Sequence, residues 1–227
     1  MRTVLPAGQV NHVESSLGVV WRERRKLGYE STIKRGLDLA LAVLGLVAIV
    51  PIWIAIVIAV KIDSPGPAIF VQDRVGHKGR RFRFYKFRSM YVDAEQRMSD
   101  LQSKNEVSGP VFKMRRDPRV TRVGAFLRRT SLDELPQLLN VLKGEMSLVG
   151  PRPALPNEVE QYRPTDALRL GVKPGLTCLW QISGRSTVGF DRWMEYDREY
   201  VQRLSLRLDL SILLRTVGAV LSCKGAF

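Results

Sequence analysis

A chain of 227 residues, 45% of them hydrophobic, is large enough to bury a core, and this composition excludes a globally disordered protein. The 36 basic residues outnumber the 22 acidic ones and give a net charge of +14, so we expect an anionic partner such as nucleic acid, a phosphorylated metabolite or an acidic lipid surface. Two cysteines and two histidines argue against a disulfide framework, a histidine-based metal site and a Ser-His-Asp triad, and they favour a reducing compartment.

The longest apolar segment runs from Leu39 to Val60 and contains 22 residues without a charge. As a helix rising about 1.5 Å per residue, it could cross a hydrocarbon core about 30 Å thick. It is too long, and too far from the N-terminus, to be the apolar region of a cleaved signal peptide. Because no face of the segment is polar, a buried helix of a soluble protein is also unlikely to account for it.

Pro51 and the flanking charges predict how this membrane helix is oriented. The proline removes one backbone hydrogen bond, and the apolar stretches on either side of it are each too short to cross a membrane alone. Lys34 and Arg35 precede the segment and Lys61 follows it, and the positive-inside rule resists export of either flank. We therefore favour a re-entrant helix, broken at Pro51 and returning to the same side, over a kinked span.

The next segment predicts a β-hairpin, with AIFVQDRV and RRFRFYKFR as strands around GHKG. In the second strand, Arg81 and Arg83 alternate with Phe82 and Phe84, a period of two that separates a basic face from an aromatic one. Further along, residues 92–102 are typical of a short polar helix. The tail from Tyr200 to Leu221 has leucines at near-helical spacing interrupted by arginines, which predicts an amphipathic helix on the body or in the membrane interface.

Two adjacent carboxylates, Asp133 and Glu134, lie in TSLDELPQLLN at the head of an apolar run. Ser131 and Glu134 match the spacing of a capping box, and acids in a first helical turn favour the macrodipole. Pro136 weakens this explanation, because it would fall inside the capped helix and remove a bond. Taken alone, the motif leaves helix capping and catalysis evenly matched.

The basic residues around this pair indicate phosphate chemistry. Nearby arginines would keep Asp133 ionised, and an ionised aspartate can attack a phosphorus atom. Glu134 could hold a Mg²⁺ ion that bridges a diphosphate. A nucleophile, a metal ligand, phosphate-binding cations and a membrane helix together favour phosphoryl transfer to or from a lipid.

Several motifs, in this order, resemble the bacterial sugar transferases known as monotopic phosphoglycosyl transferases, or polyprenyl-phosphate hexose-1-phosphate transferases. They are KFRSM (86–90), DPRVTRVGAFLRRTSLDELPQLLNVLKGEMSLVGPRP (117–153), VKPGLTCLWQISGR (172–185) and YDREYVQRLSLRLDL (196–210). The resemblance extends from about Lys34 to Phe227 and points to the minimal catalytic form of the family. Cys178 departs from it, because the family usually has glycine in the PGLTCLWQ stretch.

The resemblance implies that a UDP-sugar donates its sugar-1-phosphate to undecaprenyl phosphate and releases UMP, the first membrane step in assembling an exopolysaccharide, O-antigen or capsule glycan. Asp133 would form a covalent phosphosugar intermediate, and Glu134 would coordinate Mg²⁺. The substrate phosphates would be bound by Lys86, Arg128 and Arg185, with Arg152 shaping the nucleotide pocket. Pro51 falls where the family breaks its re-entrant helix.

The fold expected from these observations is a mixed α/β, largely helical, membrane-associated domain with one re-entrant membrane helix, a β-hairpin and amphipathic interfacial helices. Residues 1–33 would form a basic N-terminal tail, 34–62 the re-entrant helix and 63–227 the catalytic domain, on the cytoplasmic face of the bacterial inner membrane. Membrane lipids and a homodimer are expected as partners, and nucleic acid is not. The sugar itself, whether glucose, galactose or a modified hexose, stays open.

Three alternative functions compete with this interpretation. Residues 74–129 contain 16 Lys or Arg against 5 Asp or Glu, which favours a membrane-tethered nucleic-acid-binding protein with salt-sensitive affinity for any duplex. A scaffold of an assembly complex would leave both acids dispensable. A lipid-phosphate hydrolase would release free phosphate instead of UMP.

Overall fold

The computed structural model describes residues 32–106, 109, 111–112, 114–184 and 188–223. The predicted mixed α/β, mostly helical architecture is confirmed. Its helices are α1 Lys34–Asp63, α2 Met98–Leu101, α3 Arg122–Thr130, α4 Gln137–Lys143, α5 Pro156–Val159, α6 Leu179–Ile182, α7 Phe190–Arg203 and α8 Leu206–Ser222. Its strands are β1 Ile69–Val75, β2 Arg81–Phe87, β3 Ser147–Val149 and β4 Gly175–Thr177. Short 3₁₀ turns lie between several of these elements.

The predicted hairpin is present, with β1 and β2 paired antiparallel so that Gln72 lies opposite Phe84. The alternation of β2 is also confirmed. Phe82 and Phe84 are buried in the core, whereas Arg81 and Arg83 are exposed. Burial of the two rings fixes the register, since a shift of one residue would expose both of them.

A second, two-stranded sheet pairs β3 parallel to β4, with Ser147 opposite Gly175 and Val149 opposite Thr177. The residue after β3 lies very close to the first residue of β4, and a Cβ on Gly175 would lie 2.0 Å from the backbone nitrogen of Gly150. Only glycine permits this approach. The sheet lies in the main core, and it carries the loop of Arg152 towards the hairpin.

Helix α1 is the one helix in the described part of the chain that is long and apolar enough to cross a membrane. Only 11% of its most apolar 18-residue stretch is buried against the rest of the protein. Its buried side chains contact the body along its length. Ala42 joins the main core, while Ile56 and Val60 pack with Phe87 and Leu127 in a second cluster. The rest of the helix exposes apolar side chains, which is what a membrane-embedded surface requires.

Both ends of α1 are bonded to the same body. At its start, the Asp38 carboxylate accepts from the Ser147 hydroxyl at 3.0 Å and the Leu148 N–H at 2.9 Å. At its end, the Asp63 carboxylate accepts the Val123 N–H at 3.0 Å, and the Arg88 guanidinium donates to the carbonyls that end the helix. These contacts agree with a helix whose two ends lie on one side of a membrane, and the re-entrant path stays a prediction.

The sequence-based expectation of a helix broken at Pro51 is not what the structure shows. Helix α1 is continuous from Lys34 to Asp63, with Pro51 inside it. The missing N–H removes a single bond of the helical ladder, which allows a bend without ending the helix. The flanking Lys34 and Arg35 have partners in the body that the sequence did not reveal: Lys34 is buried in an ion pair with Asp209, and Arg35 donates to the carbonyl of Val141 at 2.6 Å.

Two further predictions need correction. The tail does not form one helix from Tyr200, because Leu204 leaves the helical region and Ser205 is extended, so α7 ends at Arg203 and α8 begins at Leu206. The Ser205 hydroxyl accepts a hydrogen bond from the Leu208 N–H and caps α8. Serine is a preferred N-cap residue, so the sequence did contain a helix-start signal inside the run of regularly spaced leucines. The polar helix expected over 92–102 is shorter, spanning Met98–Leu101 after a series of turns.

Candidate active site

The adjacent carboxylates Asp133 and Glu134 line a cleft of about 1380 Å³ between the hairpin, the turn after α3 and the loops after β3 and β4. Three of the cations predicted from the sequence, Lys86, Arg128 and Arg152, line the same cleft. The fourth, Arg185, lies outside the described residues. The chain therefore brings together groups that lie up to 66 positions apart in sequence, between β2 and the loop after β3.

The local backbone explains why the two acids face the cleft and do not cap a helix. Helix α3 ends at Ser131, which has a left-handed conformation (φ 59°) and turns the chain into the 3₁₀ turn Leu132–Glu134. The Ser131 side chain makes no capping bond, and α4 begins only after Pro136. The capping-box explanation is therefore wrong for this pair, because the proline places the helix start beyond it.

Lys86 connects the hairpin to both acids. Its Nζ lies 2.9 Å from Glu134 Oε1 and 3.4 Å from Asp133 Oδ2. Arg152 Nη1 also donates to Glu134 Oε1, at 2.8 Å. The two charged bonds described for Glu134 thus fall on one oxygen, and its other oxygen is the one that a further cation could approach.

The pKa values of the two neighbouring acids shift in opposite directions. Burial raises the pKa of Asp133, which is 5% exposed, and the negative charge of Glu134 adds to this effect against the opposing charge of Lys86. Burial also acts on Glu134, but the charges and hydrogen bonds of Arg152 and Lys86 outweigh it and hold the pKa of Glu134 below its usual range. The cations Lys86, Arg128 and Arg152 do favour the ionised form of Asp133, as the sequence led us to expect, but desolvation outweighs them and the net shift of the pKa is upward.

Arg128 reaches the cleft from α3, where its Nε donates to the Ser89 hydroxyl at 2.9 Å. The close packing of α3 on the segment after β2 makes this contact possible. A Cβ on Gly124 would lie 2.0 Å from the Ser89 carbonyl oxygen, so a side chain there would push the helix away. Asp133 is the main charged group that favours the protonated form of Arg128, which places this cation within electrostatic reach of the acid.

The loop that carries Arg152 is held through its backbone by Arg169. Arg169 donates to the backbone carbonyl of Arg152 at 2.6 Å, and its guanidinium lies 2.8 Å from the Asp197 carboxylate. Arg169 and Asp197 are both buried. This charged contact between the segment before β4 and α7 holds the backbone of Arg152 while its side chain contacts Glu134.

A divalent cation would find a partial ligand set in the cleft. Within the described residues, no cluster of three or more His, Cys, Asp or Glu side chains could hold a metal ion. Asp133 and Glu134 offer two adjacent carboxylates, and Mg²⁺ in proteins often takes only one or two carboxylates and completes its shell with water and substrate phosphates. The residues therefore fit a Mg²⁺ ion that binds together with a phosphorylated substrate.

Sequence reasoning missed several residues of the cleft. Arg74 and Gln72 line it from β1, two positions apart and so on one face of the strand, but FVQDRV has no alternation of polar and apolar residues that could have marked them. Trp180 and Trp193 stack in it with ring centroids 4.7 Å apart, although they lie on different helices. No pattern within either segment could have paired these two indoles, because the contact depends on how α6 meets α7.

Some of the basic residues of segment 74–129 make contacts inside the molecule. Lys86 contacts the two acids, Arg119 lies 2.6 Å from Asp117, and Arg88 donates to carbonyls at the end of α1. A surface for nucleic acid would instead present such side chains to a phosphate backbone. These three cations are held inside the fold, whereas other basic residues of the segment, Arg81 and Arg83 among them, are exposed.

Comparison with known proteins gives a consistent result. Residues 29–223 match the family model described as bacterial sugar transferase. The chain is 50% identical over 194 residues to "Galactosyl transferase CpsE" of Streptococcus agalactiae, covering 85% of this chain and 43% of that protein. It is 42% identical over 208 residues to "UDP-glucose:undecaprenyl-phosphate glucose-1-phosphate transferase" of Escherichia coli, covering 88% of this chain and 42% of that protein.

A relative of similar size to this chain is "Exopolysaccharide production protein ExoY" of Sinorhizobium fredii. The two are 40% identical over 198 residues, which cover 86% of this chain and 88% of that protein. The chain thus spans less than half the length of the two relatives above, and most of the length of the third.

Proposed function

This chain belongs to the bacterial sugar transferases, and we propose that it transfers a sugar-1-phosphate from a UDP-sugar to undecaprenyl phosphate and releases UMP. The names of its relatives support this donor and this acceptor. The structural observation that carries the proposal is the buried Asp133 carboxylate, which faces a cleft next to Lys86 and beside a second acid held by Arg152.

Asp133 is the better candidate for the nucleophile. Glu134 has a lowered pKa because two cations bond to one of its oxygens, and a carboxylate stabilised in this way donates its electrons poorly. Asp133 has a raised pKa and one longer contact, 3.4 Å from Lys86. Once ionised, Asp133 is the more nucleophilic of the two carboxylates, in keeping with the use of aspartate as a nucleophile towards phosphorus.

The proposed reaction has two halves. In the first, an Asp133 oxygen forms a bond to the sugar-bearing phosphorus while the bond from that phosphorus to the bridging oxygen breaks, and UMP leaves with the electron pair. In the second, an oxygen of undecaprenyl phosphate attacks the same phosphorus, the Asp133–phosphorus bond breaks, and the carboxylate is restored. The products are UMP and a sugar joined to the lipid by a diphosphate.

The cations of the cleft would act on the charge that develops during each half. Lys86 and Arg128 lie near Asp133, where they would neutralise oxygens of the reacting phosphate. Arg152 keeps Glu134 ionised and turned towards the cleft. A bound Mg²⁺, held by Glu134 together with the substrate, would supply further neutralisation of the diphosphate.

The membrane helix would place this cleft near the lipid acceptor. Helix α1 is apolar, exposes its middle and is bonded to the body at both ends. We propose that it enters and leaves the bacterial inner membrane on the cytoplasmic side, with α8 lying in the interface. The exposed leucines of α8, Leu210, Leu214 and Leu221, support this placement.

The decisive experiment traps the covalent intermediate. Purified protein in detergent or nanodiscs is mixed with Mg²⁺ and a panel of UDP-sugars without acceptor, quenched in acid and measured as intact mass. We expect an adduct of one sugar phosphate, located by peptide mapping on Asp133, with release of about one UMP per protein.

A matched control separates this mechanism from direct transfer. The Glu134→Gln variant should still form the adduct, more slowly, because the nucleophile is intact. Steady UMP release in the presence of undecaprenyl phosphate, with no adduct at any quench time and no loss in Asp133→Asn, would rule out the covalent route.

A further inference from the structure

Arg74 is a half-buried cation of the cleft that the roles above do not use. It extends from β1, and its guanidinium lies 5.4 Å from the centre of the Phe84 ring. The Nζ of Lys86 lies 5.7 Å from the same ring centre. Two cations therefore lie over the Phe84 ring: Lys86, which contacts the carboxylates, and Arg74, which does not.

The bonds of Arg74 hold its position without cancelling its charge. Its Nε and Nη2 donate to the Gln72 side-chain oxygen at 3.1 and 2.8 Å, and its Nη1 donates to the Pro153 carbonyl at 3.1 Å. These acceptors are neutral, and within the described residues no carboxylate lies within 4.0 Å of Arg74. Burial and the positive charge of Arg152 together lower the pKa of Arg74 to about 10, against the opposing negative charges of Glu158 and Glu134.

The buried arginines of the cleft show what is unusual here. Arg169 lies 2.8 Å from Asp197, and Arg119 lies 2.6 Å from Asp117. Arg88 donates to carbonyls at the C-terminal end of α1, where the helix dipole is negative. Arg74 is instead placed next to a second guanidinium, an arrangement that favours an anion supplied by a ligand.

The position of Arg74 relates it to the donor of the proposed function, on which this inference rests. The reacting phosphorus must be at Asp133, next to Lys86. The other phosphate of a diphosphate lies one bridging oxygen away, and the cleft continues past Glu134 to Arg152 and Arg74. Arg74 and Lys86 lie over the same Phe84 ring, so Arg74 is a second cation close to the one at the reacting phosphate, which suits the phosphate that departs.

We propose that Arg74, oriented by Gln72, binds the nucleotide phosphate that becomes UMP. When the bond between the reacting phosphorus and the bridging oxygen breaks, negative charge grows on that phosphate, and the Arg74 guanidinium neutralises it. The site would also retain UMP after the first half of the reaction, which makes UMP a product inhibitor.

Two variants test the charge and the side chain separately. Arg74→Met removes the guanidinium and keeps an apolar stem against Phe84. Gln72→Glu leaves Arg74 in place and gives it a carboxylate partner, so its charge is cancelled inside the protein. The matched controls are Arg83→Gln and Gln96→Glu, which change charge by the same amounts at exposed positions.

The readout is the affinity of the protein for UMP and for uridine, measured by calorimetry in nanodiscs, with thermal unfolding to check that each variant is folded. Wild-type protein should bind UMP more tightly than uridine. Both variants should weaken UMP binding by about 10- to 100-fold and leave uridine binding unchanged, as loss of a charge-assisted contact predicts. The controls should bind UMP as the wild type does.

Two results would overturn the assignment: UMP affinity within twofold of wild type in both variants, or equal losses for UMP and uridine. Failure of the proposed function is a separate observation. If wild-type protein releases no UMP from any UDP-sugar with undecaprenyl phosphate, a UDP-sugar is not the donor, and the proposed UMP site is rejected together with the proposed function. UMP release by wild type together with unchanged UMP affinity in the variants would reject only Arg74.

Discussion

Two clusters of buried charge in this molecule use the same kinds of side chain and differ in how their charges balance. At the start of α1, Lys34 is 2.5 Å from Asp209 and 3.0 Å from the Val149 carbonyl, and the Tyr200 hydroxyl donates to the second oxygen of Asp209 at 2.8 Å. This cluster joins α1, α7, α8 and β3. One acid faces one cation, and protein groups bond both carboxylate oxygens.

The cluster around Asp133 is built in the opposite way. Two acids are adjacent in sequence, the cations outnumber them, and all of these groups line an open cleft. The pKa of one acid rises while that of the other falls. A closed, balanced cluster is what a structural role requires, whereas adjacent like charges beside a cleft are costly unless a ligand completes them.

The strongest test of this contrast is Asp133→Asn. If Asp133 is the nucleophile, turnover should fall to background, because an amide cannot form the phosphosugar ester. The melting temperature should stay the same or rise, since the change removes a buried carboxylate whose pKa is raised. UMP release and thermal unfolding of the same preparation measure both. Near-wild-type turnover, with the amide confirmed intact by mass, would contradict the assignment.

The balanced cluster should respond in the reverse manner. Lys34→Met leaves Asp209 buried without its cation and should destabilise the protein by about 3–5 kcal/mol, while molecules that remain folded keep their specific activity. Chemical denaturation in nanodiscs measures the loss.

The double variant Lys34→Met/Asp209→Leu supplies the control. It replaces both charges by apolar groups and should recover most of the lost stability. A double variant as unstable as the sum of the two single ones would show that the pair is not coupled, and that the cluster contributes through separate contacts.

Much of this arrangement could be predicted from the sequence where the signal is local. The alternation in RRFRFYKFR gave the hairpin and its buried face, and the uninterrupted apolar run predicted α1. Lys86, Arg128 and Arg152 were predicted through the family resemblance, and the structure brings all three to the cleft that holds Asp133 and Glu134.

The rest depends on contacts between distant segments. Whether Lys34 is a free flanking charge or half of an ion pair depends on Asp209, which lies 175 positions away. The direction of the Asp133 pKa depends on burial, which no run of residues reveals. The break between α7 and α8 had a local signal, Ser205, but the leucine spacing continues across it, and capping prevailed over periodicity.

His77 is a third kind of ionisable group in a partly buried position. The charged groups that act on it are all positive, the same sign that a protonated imidazole carries. Burial, together with the positive charges of Lys78, Lys173 and Arg80, lowers its pKa to about 4. Between about pH 6.5 and 4, the unfolded chain binds a proton at this position that the folded protein does not, so stability should fall as the pH falls through this window. His77→Gln should flatten this part of a plot of melting temperature against pH. An unchanged slope would mean that His77 is protonated in the fold.

The smallest effect is expected where charges meet in solvent. Arg97 and Asp93 lie 2.6 Å apart in the turns before α2, but their side chains are 49% and 45% exposed. Water screens this pair and already solvates both partners, so Asp93→Asn should cost no more than about 0.5 kcal/mol, and less at high salt. A loss as large as that of Lys34→Met would show that proximity alone sets the strength of these pairs. A small loss would show that an ion pair contributes to stability only when it is buried. The Lys34 cluster is then buried with matched opposite charges, whereas the cleft holds buried charges that are not matched.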